Sequence, residues 1–133
     1  MEVVITEWAL DSYLNLKHGR AFSDEEYRET LRPDVELLKD GYPSPHEKFK
    51  NDKFWGPATD LSGNISHGFK MKWHQIGSGK VQLRLAVAII SRISYLCRGY
   101  VKRDEKVDRR EMAKFKIHIR DVFTGNYQYR GKL

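Results

Sequence analysis

The sequence predicts an α+β domain in which helices pack against one antiparallel sheet. Three strand-like runs follow one another between residues 68 and 101, separated by short turns, and helical patterns lie on both sides of them. The predicted order is an N-terminal strand, a helical hairpin, a three-stranded antiparallel meander and a C-terminal helix. At 133 residues, the chain is expected to form a single domain over 1–133.

The N-terminal third is predicted to hold the first strand and the helical hairpin. Residues 3–8 are typical of an opening strand, and residues 11–16 of a short helix. Ser23 and Glu26 have the spacing of a capping box, which marks the start of the second helix. Pro33 interrupts the apolar face of that helix, so we expect a kink or two abutting helices.

A long loop is predicted over residues 41–66, which are rich in Pro, Gly, Asn and Asp. Phe49, Phe54 and Trp55 are embedded in this stretch. Because aromatic side chains favour burial, we expect a loop anchored to the core and not a flexible linker.

The meander is predicted from the runs 68–76, 80–90 and 93–101. Gly77-Ser78-Gly79 separates the first two runs, and Ser91-Arg92 separates the second from the third. Turns this short join antiparallel neighbours, so an antiparallel arrangement follows.

The last helix is predicted to open at a second capping box, formed by Asp108 and Glu111, and to end near Gly125. Apolar residues recur along it at helical spacing and are expected to face the sheet: Met112, Phe115, Ile119 and Val122. Residues 126–130 are expected to form a tail.

Charge is distributed unevenly along the chain. Residues 1–62 carry eight Lys/Arg against thirteen Asp/Glu, a net charge of −5, and residues 63–133 carry sixteen against five, a net charge of +11. This imbalance favours a polyanionic partner for the second half, although a solvated mosaic of charges is the alternative.

Cations alternate within the predicted strands, as shown by Lys70 and Lys72 and then by Arg84. Side chains two apart on a strand share a face, so we expect positive charge to gather on one surface of the sheet. Such a surface is suited to phosphate groups. The two lysines could instead be the solvent face of a strand, and Arg84 could belong to a structural ion pair.

The chain resembles the RelE/ParE superfamily of toxins from type II toxin–antitoxin systems. Phe69–Lys72 is similar to the aromatic-Lys-x-Lys strand of RelE-type ribosome-dependent RNases, and Leu83–Val87 to the following strand, whose arginine binds the scissile phosphate. Residues 96–111, with Gly99–Arg103 inside them, are similar to the last strand and the start of the final helix. The resemblance covers most of the chain apart from 41–66, and it implies the same α+β order.

The resemblance implies a role for each cation of these motifs. Lys70, Lys72 and Arg84 would hold the mRNA backbone and stabilise the pentavalent phosphate. Arg103, or its neighbour Lys102, would lie near the leaving group.

The general base is not settled by the resemblance. RelE has a catalytic tyrosine six residues after the second arginine, and Arg109 stands there in this chain, where we expect it to bind RNA. Other members place a His or Tyr beyond the last helix, which makes Tyr127 and Tyr129 the substitutes. His74 is the next candidate, and a lysine with its pKa lowered by neighbouring cations is another.

By resemblance, the expected function is ribosome-dependent mRNA cleavage without metal or cofactor, with mRNA in the ribosomal A site and a cognate antitoxin as partners. A ParE-like DNA gyrase inhibitor and a non-catalytic basic nucleic-acid-binding module are the alternatives.

No long apolar segment is present, so no membrane partner and a cytoplasmic location are expected. Cys97 lies in an apolar run and is expected to be buried and inert.

Overall fold

The computed structural model describes residues 1–42 and 45–133 and shows an α+β fold with one six-stranded mixed sheet. The strands are β1 (Val3–Thr6), β2 (Trp55–Asp60), β3 (Gly63–Ile76), β4 (Val81–Ile90), β5 (Ile93–Val101) and β6 (Tyr129–Lys132). Their order across the sheet is β2-β3-β4-β5-β1-β6. The strand β1 runs parallel to β5, and the other neighbours are antiparallel. The predicted α+β class and the antiparallel meander, here β3–β4–β5, are confirmed.

The helices precede and follow this meander. They are α1 (Glu7–His18), α2 (Asp24–Glu26), α3 (Arg32–Glu36) and α4 (Glu105–Phe123). A π-helical turn (Tyr27–Leu31) joins α2 to α3, and 3-10 turns occupy Leu37–Asp40 and Glu47–Lys50. The π-helical turn ends two residues before Pro33, whose ring and missing N–H disturb the preceding turn of a helix.

The sheet has two strands more than the sequence predicted. The predicted loop 41–66 is wrong over β2 and over the first residues of β3, while its positions 43–44 lie outside the described residues. The strand β2 is an edge strand, where Pro57 is tolerated because one side of the strand needs no ladder hydrogen bonds. The predicted tail contains β6, which pairs with the distant β1.

Two helix starts also differ from the prediction. Thr6 caps α1 by accepting a hydrogen bond from the N–H of Ala9 (3.3 Å), so residues 7 and 8 belong to the helix and not to the strand. The N-cap of α4 is Asp104, whose carboxylate accepts from the N–H of Val107 (2.8 Å), and the capping box predicted at Asp108 is therefore wrong. The box predicted at the start of α2 is present.

Each face of the sheet is covered by helices. On one face, α1 and the segment from 24 to 40 cover a core that includes Leu38, Met71 and Val87. On the other, which we call the α4 face, the four predicted inward residues of α4 are all buried. The aromatic anchors Phe54 and Trp55 are buried as predicted, and so is Cys97, where burial raises the thiol pKa to about 12.

Candidate nucleic-acid interface

Near the start of α4, Lys72 and His74 on the α4 face are partly or fully exposed, and the buried Arg84 and Tyr100 lie beside them. We call this part of the face the open end. Lys72 on β3 lies opposite Arg84 on β4, and Arg84 lies opposite Tyr100 on β5. Residues opposite each other on neighbouring antiparallel strands are about 5 Å apart and share a face. We call these three side chains the cationic row.

Arg84 is at the centre of the row, with only 4% of the residue exposed. Its Nη1 donates to the main-chain oxygens of Trp73 (3.3 Å) and Leu83 (3.1 Å), and its Nη2 donates to Oε1 of Gln82 (3.0 Å). Burial lowers its pKa, and the nearby Tyr100 and Asp108 only partly oppose this effect. No carboxylate of residues 1–42 or 45–133 forms an ion pair with Arg84. The structural ion pair considered for this residue is therefore not found there.

Lys70, in contrast, is neutralised by the first turn of α4. Its Nζ lies 3.3 Å from Oδ2 of Asp108, and Oδ1 of the same carboxylate accepts a hydrogen bond from the Tyr100 hydroxyl (2.5 Å). Burial alone would raise the pKa of Asp108, but this hydrogen bond and the charge of Lys70 outweigh it and lower the pKa. Burial and Asp108 raise the pKa of Tyr100, which keeps this phenol protonated.

Lys72 is half-buried, and no carboxylate of the described residues forms an ion pair with its ammonium group. Its Nζ donates to the main-chain oxygen of Asp52 at 2.6 Å. Burial lowers the pKa of Lys72, and the charges of Lys70 and Arg84 lower it further. The structure thus contains a lysine of the kind that was considered as an alternative base.

His74 follows Lys72 on the same face of β3, and its ring is exposed. Its Nε2 is hydrogen-bonded to the main-chain oxygen of Lys53. Since a carbonyl oxygen only accepts, this hydrogen bond requires a proton on Nε2.

The remaining predicted cations surround the start of α4. Lys102 forms an ion pair with Glu105 (3.0 Å), and Arg103 and Arg109 are exposed. Arg103 also lines a cavity of about 310 Å³ between α1 and α4, where the ion pair of Arg98 and Glu111 (2.5 Å) forms part of the wall.

The two tyrosines proposed as bases are not brought to the cationic row. Tyr127 packs edge-on against Tyr95 with ring centroids 5.7 Å apart. Tyr95 lies opposite Ala88, four residues along β4 from Arg84, or roughly 13 Å at the usual rise of a strand. Tyr129 belongs to β6, three strands away from β4, or about 14 Å.

Sequence reasoning missed two members of this site, Tyr100 and Asp108. Tyr100 alternates with Arg98 and Lys102 along β5, so the period of two could have placed it beside Arg84. Asp108 was assigned to a helix cap, and that assignment hid its contact with Lys70, which is 38 positions away in the chain.

Comparison with protein-family models, with curated proteins and with solved structures finds no match for this chain. Within the described ranges, no group of His, Cys, Asp and Glu side chains is arranged to hold a metal ion. Over the same residues, the longest helices are too short or too polar to cross a membrane.

Proposed function

We propose that this protein is a RelE-type toxin that cleaves mRNA on the ribosome and is neutralised by an antitoxin. The observation that carries the proposal is the pairing of Lys72 with Arg84 across two strands, with no carboxylate of the described chain on either cation. Cations held without an acidic partner are suited to an anionic ligand. The resemblance of these same strands to RelE-type RNases supports RNA as that ligand.

The proposed reaction is attack by a ribose 2′-hydroxyl on the adjacent phosphate. The 2′-oxygen forms a bond to phosphorus, the bond from phosphorus to the 5′-oxygen breaks, and the products are a 2′,3′-cyclic phosphate and a 5′-hydroxyl. One proton leaves the 2′-oxygen and one is delivered to the 5′-oxygen. The step needs a base, an acid and cations for the charge that grows on the phosphoryl oxygens.

In this proposal Arg84 contacts the phosphoryl oxygens, because a planar guanidinium can bind two of them. Lys72 takes the 2′-proton, since its lowered pKa makes the neutral amine more accessible. His74 delivers the proton to the 5′-oxygen when its ring is protonated. The roles proposed for Tyr127 and Tyr129 need a movement of the C-terminal segment, and Lys72 needs none.

The experiment that tests the proposal is primer extension on an mRNA incubated with the protein, with and without programmed ribosomes and without added metal. Cuts that appear only with ribosomes support the proposal. Cuts without ribosomes would show that the protein cleaves free RNA and does not depend on the ribosome. An uncut mRNA under both conditions overturns it and directs the next assay to DNA gyrase supercoiling.

The role of Lys72 is tested by the pH dependence of single-turnover cleavage. A general base acts when deprotonated, so the rate should rise with pH up to the pKa of Lys72, which lies below the ordinary value for lysine. Lys72→Arg keeps the charge but cannot lose a proton, and it should remove this dependence. An unchanged pH profile in Lys72→Arg would assign the base to another group.

A non-catalytic nucleic-acid-binding module is the second candidate. It is favoured by the positions of the two tail tyrosines, which lie away from the cationic row, and by the raised pKa of Tyr100, which keeps the tyrosine of the row protonated. Binding of RNA without cleavage, and without growth arrest when the protein is expressed alone, would support this function.

A further inference from the structure

We propose that residues 50–53 extend the interface, with Lys50 and Lys53 as additional contacts to the phosphates of single-stranded RNA. This inference rests on the proposed function and deepens it. The segment belongs to the part of the chain that the RelE/ParE resemblance does not cover, so the resemblance assigns no role to either lysine.

The main chain of residues 52–54 runs beside β3 at the cationic row, and Lys50 ends the 3-10 turn two residues before it. The carbonyl oxygen of Asp52 accepts from Nζ of Lys72, and that of Lys53 is hydrogen-bonded to His74. The carbonyl oxygen of Phe54 accepts from the N–H of Lys72 at 2.7 Å. These contacts place Lys53 next to the two polar side chains that β3 contributes to the site.

The lysines of the described chain fall into two classes, those that form an ion pair with an acidic residue and those that do not. Several lysines have acidic partners, as in the pairs of Lys48 with Asp34 (2.7 Å) and Lys116 with Asp60 (2.8 Å). Lys50 and Lys53 are exposed, and neither forms an ion pair with a described residue. Asp52, the acid within the segment, accepts a hydrogen bond from Lys72 through its main-chain oxygen. Its carboxylate favours a higher pKa for Lys72, but burial and the neighbouring cations lower this pKa by more.

The segment is anchored to the body of the protein on both sides. Phe54 is buried, and the partly buried Phe49 packs edge-on against it with ring centroids 5.6 Å apart. The carboxylate of Asp34 binds both Nζ of Lys48 and Nε1 of Trp73 (2.9 Å), which lies between Lys72 and His74 on β3. A fixed segment presents its charges without a large ordering cost on binding.

An extended, single-stranded partner fits this arrangement. Neighbouring strands are about 4.8 Å apart, so a path from residue 53 through Lys72 to Arg84 crosses the strands at the open end of the sheet. A backbone that follows this path would meet cations in succession. Binding of this kind depends on salt, because each phosphate contact releases counterions.

The test measures binding of a fluorescein-labelled, single-stranded 2′-O-methyl RNA, which cannot be cleaved because its 2′-hydroxyls are blocked. Lys50→Gln and Lys53→Gln are compared with Lys17→Gln, an exposed lysine on α1 without an ion pair to any described residue. Each of the first two variants should reduce the slope of log K against log salt concentration by about 0.7, and Lys17→Gln should leave it unchanged.

The outcomes separate this inference from the proposed function. Reduced slopes in both variants support the inference, even if the unmodified mRNA is not cut. Unchanged slopes in both, with wild-type cleavage intact, overturn the inference and leave the proposed function standing. Absence of RNA binding by the wild-type protein overturns the inference and leaves the proposed function to the ribosome assay, and an equal change in slope on duplex DNA overturns the assignment to single strands.

Discussion

The two ends of the α4 face differ in what covers them. At one end, Ala88 and Ile90 are buried in one apolar cluster with Phe115 and Ile119 of α4. At the other, α4 has only begun, and Lys72 and Arg84 occupy equivalent positions on the same strands. The comparison shows that one strand can carry apolar core residues and charged residues on the same face, because the apolar side chains of α4 pack over only part of that face.

Gly68 marks the covered end. A Cβ atom at this position would lie 2.9 Å from Cε2 of Phe115, closer than a carbon atom can approach without a shift. The glycine therefore allows α4 to pack closely against β3. Lys70, two residues further along the strand, lies at the boundary and is neutralised by Asp108 from α4.

The largest effect is expected at the covered end. Phe115→Ala removes a fully buried ring and should lower the free energy of unfolding by about 3–5 kcal/mol. Denaturant unfolding measures this loss, with the exposed Lys114→Ala as the control on the same helix. A loss below about 1 kcal/mol would contradict the assignment of this end to the core.

Under the proposed function, Arg84→Ala at the open end should lower the rate of mRNA cleavage by about 10²–10³-fold, as expected for the loss of a preorganised donor. Its partners are two main-chain oxygens and one side-chain amide, so no buried carboxylate is left unpaired and the fold should be retained. Single-turnover cleavage measures the rate, and circular dichroism checks that the fold is retained. A folded Arg84→Ala protein with full activity would remove this residue from the site.

At the boundary, Asp108→Asn should lower the free energy of unfolding by about 1–3 kcal/mol, because Lys70 loses its counter-charge while remaining buried. Lys70→Met in the same protein should restore part of the loss. A double-mutant cycle by denaturant unfolding measures the coupling. Additive effects of the two substitutions would show that the ion pair does not hold α4 to β3.

The smallest effect is expected from pH at the covered end. His118 is stacked on Trp8 with ring centroids 4.0 Å apart, and burial, followed by the charge of Arg98, lowers its pKa to about 4. Asp121, Glu111 and Glu7 oppose this shift but do not overcome it. The unfolded chain binds a proton at this histidine near pH 6.5 and the folded protein does not, so stability should decrease as pH falls from about 6.5 to about 4.

Thermal unfolding across this pH range, in the wild type and in His118→Gln, measures the contribution. The variant should show a weaker dependence on pH. Identical curves for both proteins would indicate that the pKa of His118 is the same in the folded and the unfolded state.

Local patterns predicted much of this fold. The capping box of Ser23 and Glu26 and the strand over residues 93–101 are found where they were expected. Both depend on neighbours in the sequence, and so they can be recognised without knowledge of the rest of the chain. The shared face of Lys70 and Lys72 was predictable for the same reason, whereas the pairing of Lys72 with Arg84 also depends on a register shift between Trp73 and Ile76, which the short turn does not reveal.

Long-range contacts could not be predicted in this way. The pairing of β6 with β1 joins the two ends of the chain, and the sequence of β6 contains Gly131 and two cations, which give little strand signal. The positions of Tyr127 and Tyr129 depend on that pairing. Their distance from Arg84 was therefore visible only in the structure.

The strand order has a consequence for the kinetics of folding. The pair β1–β5 includes a hydrogen bond from Thr6 to the carbonyl oxygen of Leu96, 90 positions away, whereas β3, β4 and β5 are joined by short turns. Closing the longer loop costs more chain entropy, so we expect the meander to form before β1 docks beside it. Lys72, Arg84 and Tyr100 all belong to the meander, and their alignment would then precede the slowest step of folding.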